Sequence, residues 1–209
     1  MSDIVICEFM DEASITEGLR GFDYLYDPNL VDHPDELNAR LKDARAIIVR
    51  NRTQVRGALL DAAPKLKAVG RLGVGLDNID LEACKKRGIA VLPASGANDL
   101  SVAEYVITSA MMLLRGAYTA TGSVVAGKWP RNTLIGREIS GKVMGLVGFG
   151  SIARLTAKLA AAMGMKVIAF DPLVDDAVFT QAGVQRQTLE NLLALADVVS
   201  LHVPFNDKT

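Results

Sequence analysis

Short apolar runs alternate along this chain with amphipathic stretches of helix length. The runs at residues 4–7, 23–26, 46–49, 66–70 and 89–92 are too short for buried helices and read as strands. Between them, residues 12–20, 34–42, 55–62 and 81–86 have helical spacing. Pro34 suits the first turn of the second of these. Thr53 is a candidate N-cap for the third, which ends before Pro64. Asp80 or Asn78 can cap the fourth. Strand and helix in alternation predict α/β architecture with a parallel sheet. The turn-rich stretch PASGAN then divides the chain into residues 1–97 and 98–209. Beyond it a long helix is expected over residues 101–118, with Ser101 and Glu104 at capping-box spacing. Residues 121–139 are polar, broken by Gly122, Gly127, Pro130 and Gly136, and read as a linker or arm. Trp129 within it is either a loop anchor or an interface residue.

The most informative stretch is 142–171, KVMGLVGFGSIARLTAKLAAAMGMKVIAFD. Residues 143–147 form a strand run, followed by Gly148, Gly150 and Ala153 in the order GxGxxA. Ile152, Leu155, Leu159 and Met163 then share one helical face, Gly164 is a C-cap candidate, and 167–170 is the next strand, ended by Asp171. Each part has a chemical reason. Gly148 permits the tight turn, Gly150 lets main chain approach a pyrophosphate, and Ala153 lets helix and strand pack closely. The N–H groups of Ser151 and Ile152 face the phosphates at the positive helix end. Asp171, about twenty residues on, is placed to accept from an adenosine ribose and disfavours a 2′-phosphate, so NAD is expected over NADP. The competing reading is a crossover whose glycines serve packing alone. Further on, 175–182 and 189–195 are expected as helices, and 184–187 and 198–203 as strands.

Half of the 209 residues are apolar and the net charge is −1, so a core is affordable and no basic block points to nucleic acid. Cys7 and Cys84 have no CxxC spacing, which fits a reducing cytoplasm. MSDIVICEF lacks a basic n-region and is not read as a signal peptide. The most apolar helix, near 103–114, is too short to span a membrane. No cluster of His, Cys and acids has metal-ligand spacing, so no metal is expected.

Two loops at strand carboxyl ends carry the remaining chemistry: VRNRT at 49–53 and GRLGVGLDN at 70–78. Ligands of open α/β sheets bind there. Arg50, Arg52 and Arg71 suit a carboxylate, phosphate or sulfonate. Gly73 and Gly75 would let N–H groups point at an oxyanion. His202, at the end of the last strand, either touches the cofactor or is structural.

VRNRTQV, VGRLGVGLDNIDLEACKKRGIAVLP, GANDLSVAEY, GKWPRN, GREISGKVMGLVGFGSIAR, GMKVIAFDP and SLHVPFNDKT occur in this order. With them the chain resembles the D-isomer-specific 2-hydroxyacid dehydrogenases, in particular the phosphoglycerate dehydrogenase branch. The resemblance implies a Rossmann-type doubly wound NAD domain (98–209) and a flavodoxin-like substrate domain (1–97), both incomplete at the C-terminus. It also implies a homodimer built through the long helix and the Trp129 arm. Gly148, Gly150, Ser151 and Ile152 match the pyrophosphate loop, Asp171 and Pro172 the ribose acid and its neighbour, and His202, Val203 and Pro204 the strand-end motif. Arg50, Arg71, Val74 and Gly75 match the substrate loops. Ala153 replaces the commoner third glycine. Arg52, an extra charge, together with EFMDE makes the chain similar to the sulfolactate dehydrogenases of the family. The family's catalytic arginine, glutamate and histidine have no counterpart before Thr209. The resemblance therefore implies a longer enzyme, with this stretch alone inactive. The implied reaction moves hydride between NAD and C2 of a small anionic 2-hydroxy or 2-oxo acid. A dinucleotide-sensing module without catalysis is the alternative.

Overall fold

The apolar runs become strands and the stretches between them helices, over the described residues 2–204 of a computed structural model. Among these residues the chain forms two compact units, one reaching to Ala97 and one from Asn98 to Pro204.

The first unit runs β1 (Ile4–Ile6), α1 (Glu12–Gly18), β2 (Tyr24–Tyr26), α2 (Pro34–Leu41), β3 (Ala46–Val49), α3 (Ala58–Ala62), β4 (Ala68–Arg71), α4 (Leu81–Lys86) and β5 (Ala90–Pro93). Its five strands are all parallel, in the order β2-β1-β3-β4-β5. This is the flavodoxin-like order, whose direction of winding reverses between β1 and β3. Val5, Ile47 and Val69 lie side by side in register and are fully buried. Leu37 and Leu41 from α2 and Leu59 and Leu60 from α3 close over the same core. A parallel sheet needs this cover because its strands are apolar on both faces.

Local chemistry sets the element ends. Pro34 opens α2, and Asp80 caps α4 by accepting from the Ala83 N–H at 2.9 Å. The helix expected from residue 55 begins only at Ala58, with Gly57 rather than Thr53 before it. Val55 instead pairs with Ile79 in an isolated parallel bridge. Its N–H donates to Asn78 O at 2.8 Å and its carbonyl accepts from Asp80 N–H at 3.0 Å. Extended pairing wins because it buries Val55 completely.

The second unit runs α5 (Asp99–Arg115), α6 (Thr121–Val125), β6 (Val143–Val147), α7 (Ser151–Ala162), β7 (Lys166–Phe170), α8 (Asp176–Ala182), β8 (Gln185–Arg186), α9 (Leu189–Leu195) and β9 (Val198–Leu201). Its strands are parallel in the order β8-β7-β6-β9. Renumbered from β6, that is 3-2-1-4, the winding of dinucleotide-binding sheets.

Two expectations are corrected. Ser101 is not the cap of the long helix: α5 starts at Asp99 after Asn98, with no side-chain cap, and stops at Gly116, which takes a left-handed φ of 65°. Residues 121–139 are not wholly irregular, since α6 lies within them. On α7, Ala153, Thr156, Ala157 and Ala160 are buried, while Ile152, Leu155 and Leu159 of the apolar stripe are half-buried. The three alanines share a core with Ala110 of α5 and with Met144, Leu146, Phe149 and Phe179. Close approach of helices and sheet favours short side chains over the volume of leucine. Phe149, inside the glycine turn, stacks on Phe179 with ring centres 4.5 Å apart.

Among the described residues no helix is long and apolar enough to cross a membrane.

Candidate functional site

The second unit carries the glycine turn at the carboxyl end of β6. Gly148 has φ 91°, and a Cβ there would lie 2.5 Å from the His202 carbonyl oxygen and 3.1 Å from a Val203 methyl. The turn thus packs main chain to main chain against the end of β9, where His202 N–H donates to Val147 O at 2.7 Å. Gly150 differs. Its φ of −72° suits any residue, and an added Cβ meets nothing within 4 Å. Neither main chain nor packing requires glycine there, and the open space lies beside the start of α7.

That helix start carries no side-chain cap. The first N–H groups of a helix have no intrahelical partner, so those of Ser151 and Ile152 point outward at the positive end of a 12-residue helix. Asp171 is held close by. Its Oδ2 accepts from Phe149 N–H at 2.8 Å and its Oδ1 from Leu173 N–H at 2.8 Å. A carboxylate oxygen has two lone-pair sites, so each keeps one for a ribose hydroxyl. Arg186 braces the same corner, donating to the Asp171 carbonyl at 2.9 Å and stacking on Phe179 at 5.2 Å. Pro172 and Arg186 line an adjoining cavity with Phe170 and Thr188. His202 bonds through Nε2 to Ser200 Oγ at 3.0 Å. Burial lowers its pKa, so the imidazole is neutral at pH 7. Val203 and Pro204 follow in sequence. An open cradle, free helix N–H groups and a fixed carboxylate fit a dinucleotide diphosphate and its ribose.

In the first unit the two arginine loops are joined. Asn78, 1% exposed, donates from Nδ2 to the carbonyls of Arg50 at 3.2 Å and Thr53 at 2.8 Å. Of the two cap candidates, Asp80 is the cap and Asn78 ties the loops. A buried carboxylate, Glu8, sits beneath the first loop and was missed altogether. Burial alone would raise its pKa, but main-chain N–H donors from Thr53, Arg50 and Arg52 outweigh that and hold it below the usual carboxylate range. Cys7 beside it contacts Thr53 Oγ1 at 3.4 Å, and burial pushes its thiol up to about 11, so it is an inert core residue.

Arg71 crosses Gly73: a Cβ on Gly73 would lie 1.6 Å from Arg71 Nη1. The guanidinium end can rotate aside, so it is the main chain, with φ 143°, that favours glycine here. The Gly73 N–H is not a free oxyanion donor as the sequence suggested, because it donates to Arg71 O at 2.9 Å. Val74, 45% exposed, and Gly75 keep N–H groups without a hydrogen bond among the described residues. Arg71 Nη1 donates to Leu72 O, while its buried Nε has no partner. Arg50 leans toward Phe9, 5.8 Å from the ring centre. Arg52 pairs with Asp32, both more than half exposed. Exposed pairs are weakly held, so an incoming anion competes with Asp32 for Arg52. Removing that competitor by Asp32→Asn is expected to tighten inorganic sulfate binding at Arg52 about threefold without changing the melting temperature. Calorimetry with sulfate and a thermal melt check both parts.

Among the described residues no group of His, Cys, Asp and Glu is arranged to hold a metal ion.

Residues 4–201 match the model of "D-isomer specific 2-hydroxyacid dehydrogenase, catalytic domain". The chain is 52% identical to (S)-sulfolactate dehydrogenase of Chromohalobacter salexigens, over 100% of this chain and 68% of that protein. It is 40% identical to D-3-phosphoglycerate dehydrogenase of Homo sapiens, over 84% of this chain and 33% of that protein. It therefore spans about two thirds of the first relative's length and a third of the second's. Among solved structures, D-lactate dehydrogenase from Aquifex aeolicus, complexed with NAD and lactic acid, superposes with TM-score 0.82 at 25% identity, covering 98% of this chain and 61% of that one. A match running from the first strand to the last, over two sheets wound in these orders, settles the lineage: the chain belongs to the D-isomer specific 2-hydroxyacid dehydrogenase family.

Proposed function

We propose that this chain carries the NAD cradle and the anion-reading loops of an oxidoreductase. The reaction moves hydride between nicotinamide and C2 of a small anionic 2-hydroxy acid, of 3-sulfolactate or 3-phosphoglycerate type. The observation that carries the reading is Gly150, whose missing side chain answers no demand of the protein's own packing. The relative named as a sulfolactate dehydrogenase supports the sulfonate as first choice of substrate.

NAD, when bound, supplies the hydride acceptor. The chain's residues bind and orient. Ser151 and Ile152 hold the diphosphate through main-chain N–H groups, and Asp171 holds the ribose. Val74 and Gly75 N–H groups take the substrate carboxylate. Arg50, Arg52 and Arg71 supply the positive field for the second anion, Arg52 by exchanging Asp32 for it. Losing the ribose bonds in Asp171→Ala is expected to weaken NAD binding about tenfold to a hundredfold. The same change narrows the preference for NAD over NADP, and calorimetry with both dinucleotides checks it.

We further propose a homodimer and a cytoplasmic location. Tyr105 and Leu113 on α5, and Val125, Trp129 and Ile135 beyond it, are each more than 70% exposed. So much apolar surface on one stretch suits a second copy. The two free, buried cysteines suit a reducing compartment.

The test is NAD-linked turnover by the intact gene product on sulfolactate and phosphoglycerate, followed at the NADH absorbance. Turnover on either supports the reading; none on any 2-hydroxy acid rejects it.

A further inference from the structure

Glu8 lies just past β1, at the carboxyl end of the first sheet, and is 4% exposed. Both of its carboxylate oxygens are engaged. Oε1 accepts from the main-chain N–H of Arg50 at 2.9 Å and of Thr53 at 3.0 Å. Oε2 accepts from Asn51 at 3.3 Å and Arg52 at 3.2 Å. Four consecutive N–H groups therefore turn inward onto one side chain. The loop they belong to is neither helix nor strand, so no ladder fixes it. Its outer carbonyls are held by Asn78.

Only an ionised acid satisfies this arrangement. A carboxylate offers about four acceptor sites and no donor. Glutamine of the same shape would aim an NH2 at N–H groups and leave donors unpaired, and a protonated acid would do the same. The arrangement has two consequences. The loop's N–H groups are unavailable to a ligand, so an anion is read there through the side chains of Arg50, Asn51 and Arg52. The negative charge of Glu8 is also turned onto main-chain donors rather than onto the guanidiniums.

We propose that Glu8 is a positioning residue for the anion site: it fixes residues 50–53 so that Arg50 and Arg52 face the substrate. In its kinetic part this rests on the function proposed above.

Two effects of Glu8→Gln oppose each other, which makes the test discriminating. If Glu8 were only a nearby negative charge, its removal would strengthen the pull on an anion and lower KM. If it positions the loop, KM rises. The expected result in the intact protein is a rise in KM for the 2-hydroxy acid of about tenfold, from loss of charge-assisted hydrogen bonds, with Kd for NAD changed less than about twofold. Glu8→Asp, which keeps the charge and shortens the reach, is expected to recover part of the loss. An unchanged or lowered KM overturns the proposal. So does an NAD Kd that moves by the same factor as KM, since that is general destabilisation. Hydrogen exchange on the wild-type protein decides the matter even if the variant does not fold. The amides of residues 50–53 are expected to exchange about a hundredfold more slowly than an open loop. Exchange at open-loop rates overturns the proposal. This measurement needs no turnover, so an inactive enzyme would defeat the proposed reaction and leave the Glu8 inference standing.

Discussion

Gly150→Val is expected to abolish NAD binding while leaving the fold as stable as the wild type. The main chain at Gly150, φ −72° and ψ −167°, is extended and admits any residue. The position where its Cβ would stand has no neighbour within 4 Å. A branched side chain is therefore tolerated by the protein and fills the space over the Ser151 and Ile152 N–H groups. Each charge-assisted bond to a phosphate is worth about 1.5–3 kcal/mol, so losing two costs at least about a hundredfold in affinity. Calorimetry with NAD and a urea melt read the two halves separately. Undiminished affinity would place the diphosphate elsewhere.

Gly148→Ala is expected to do the reverse and cost folding stability first. Its φ of 91° is strained for any side chain, and the added methyl would lie 2.5 Å from the carbonyl oxygen and 2.8 Å from the carbonyl carbon of His202. Both neighbours are main chain and cannot rotate aside. The end of β9 has to move, which loosens the 2.7 Å bond from His202 N–H to Val147 O. Backbone strain of about 1–2 kcal/mol and overpacking of about 1–3 kcal/mol together give a loss of about 2–5 kcal/mol. A loss below about 1 kcal/mol in urea unfolding would mean that the turn is more pliable than its geometry implies. Two glycines two positions apart thus answer to different demands, one from the fold and one from the ligand.

That difference also marks what the amino-acid order makes legible. Strand runs such as 143–147 and 46–49 are visible because a covered parallel strand is apolar on both faces. Gly148, Gly150 and Asp171 are visible because their spacing within one βαβ unit is fixed by strand and helix length. Asp80 is legible as a cap because its partner, Ala83, is three residues away. What failed depends on distant neighbours. Glu8 meets its four donors more than 40 residues later, and nothing local distinguishes it from a solvated acid. Thr53 has the chemistry of a cap, yet Val55 gains more by pairing with Ile79. Periodicity shows the large apolar stripe of α7 but not the fully buried small residues beside it, Ala153 and Ala157 among them, which the sheet and α5 select. Gly73 has the composition of an oxyanion donor, yet its N–H turns back onto Arg71 O, which spacing alone does not show.

The most direct measurement is a crystal structure of the protein with NAD. The diphosphate is expected within hydrogen-bond distance of the Ser151 and Ile152 N–H groups, over Gly150, with a ribose hydroxyl on Asp171. A dinucleotide bound elsewhere, or an empty turn at saturating NAD, would contradict it.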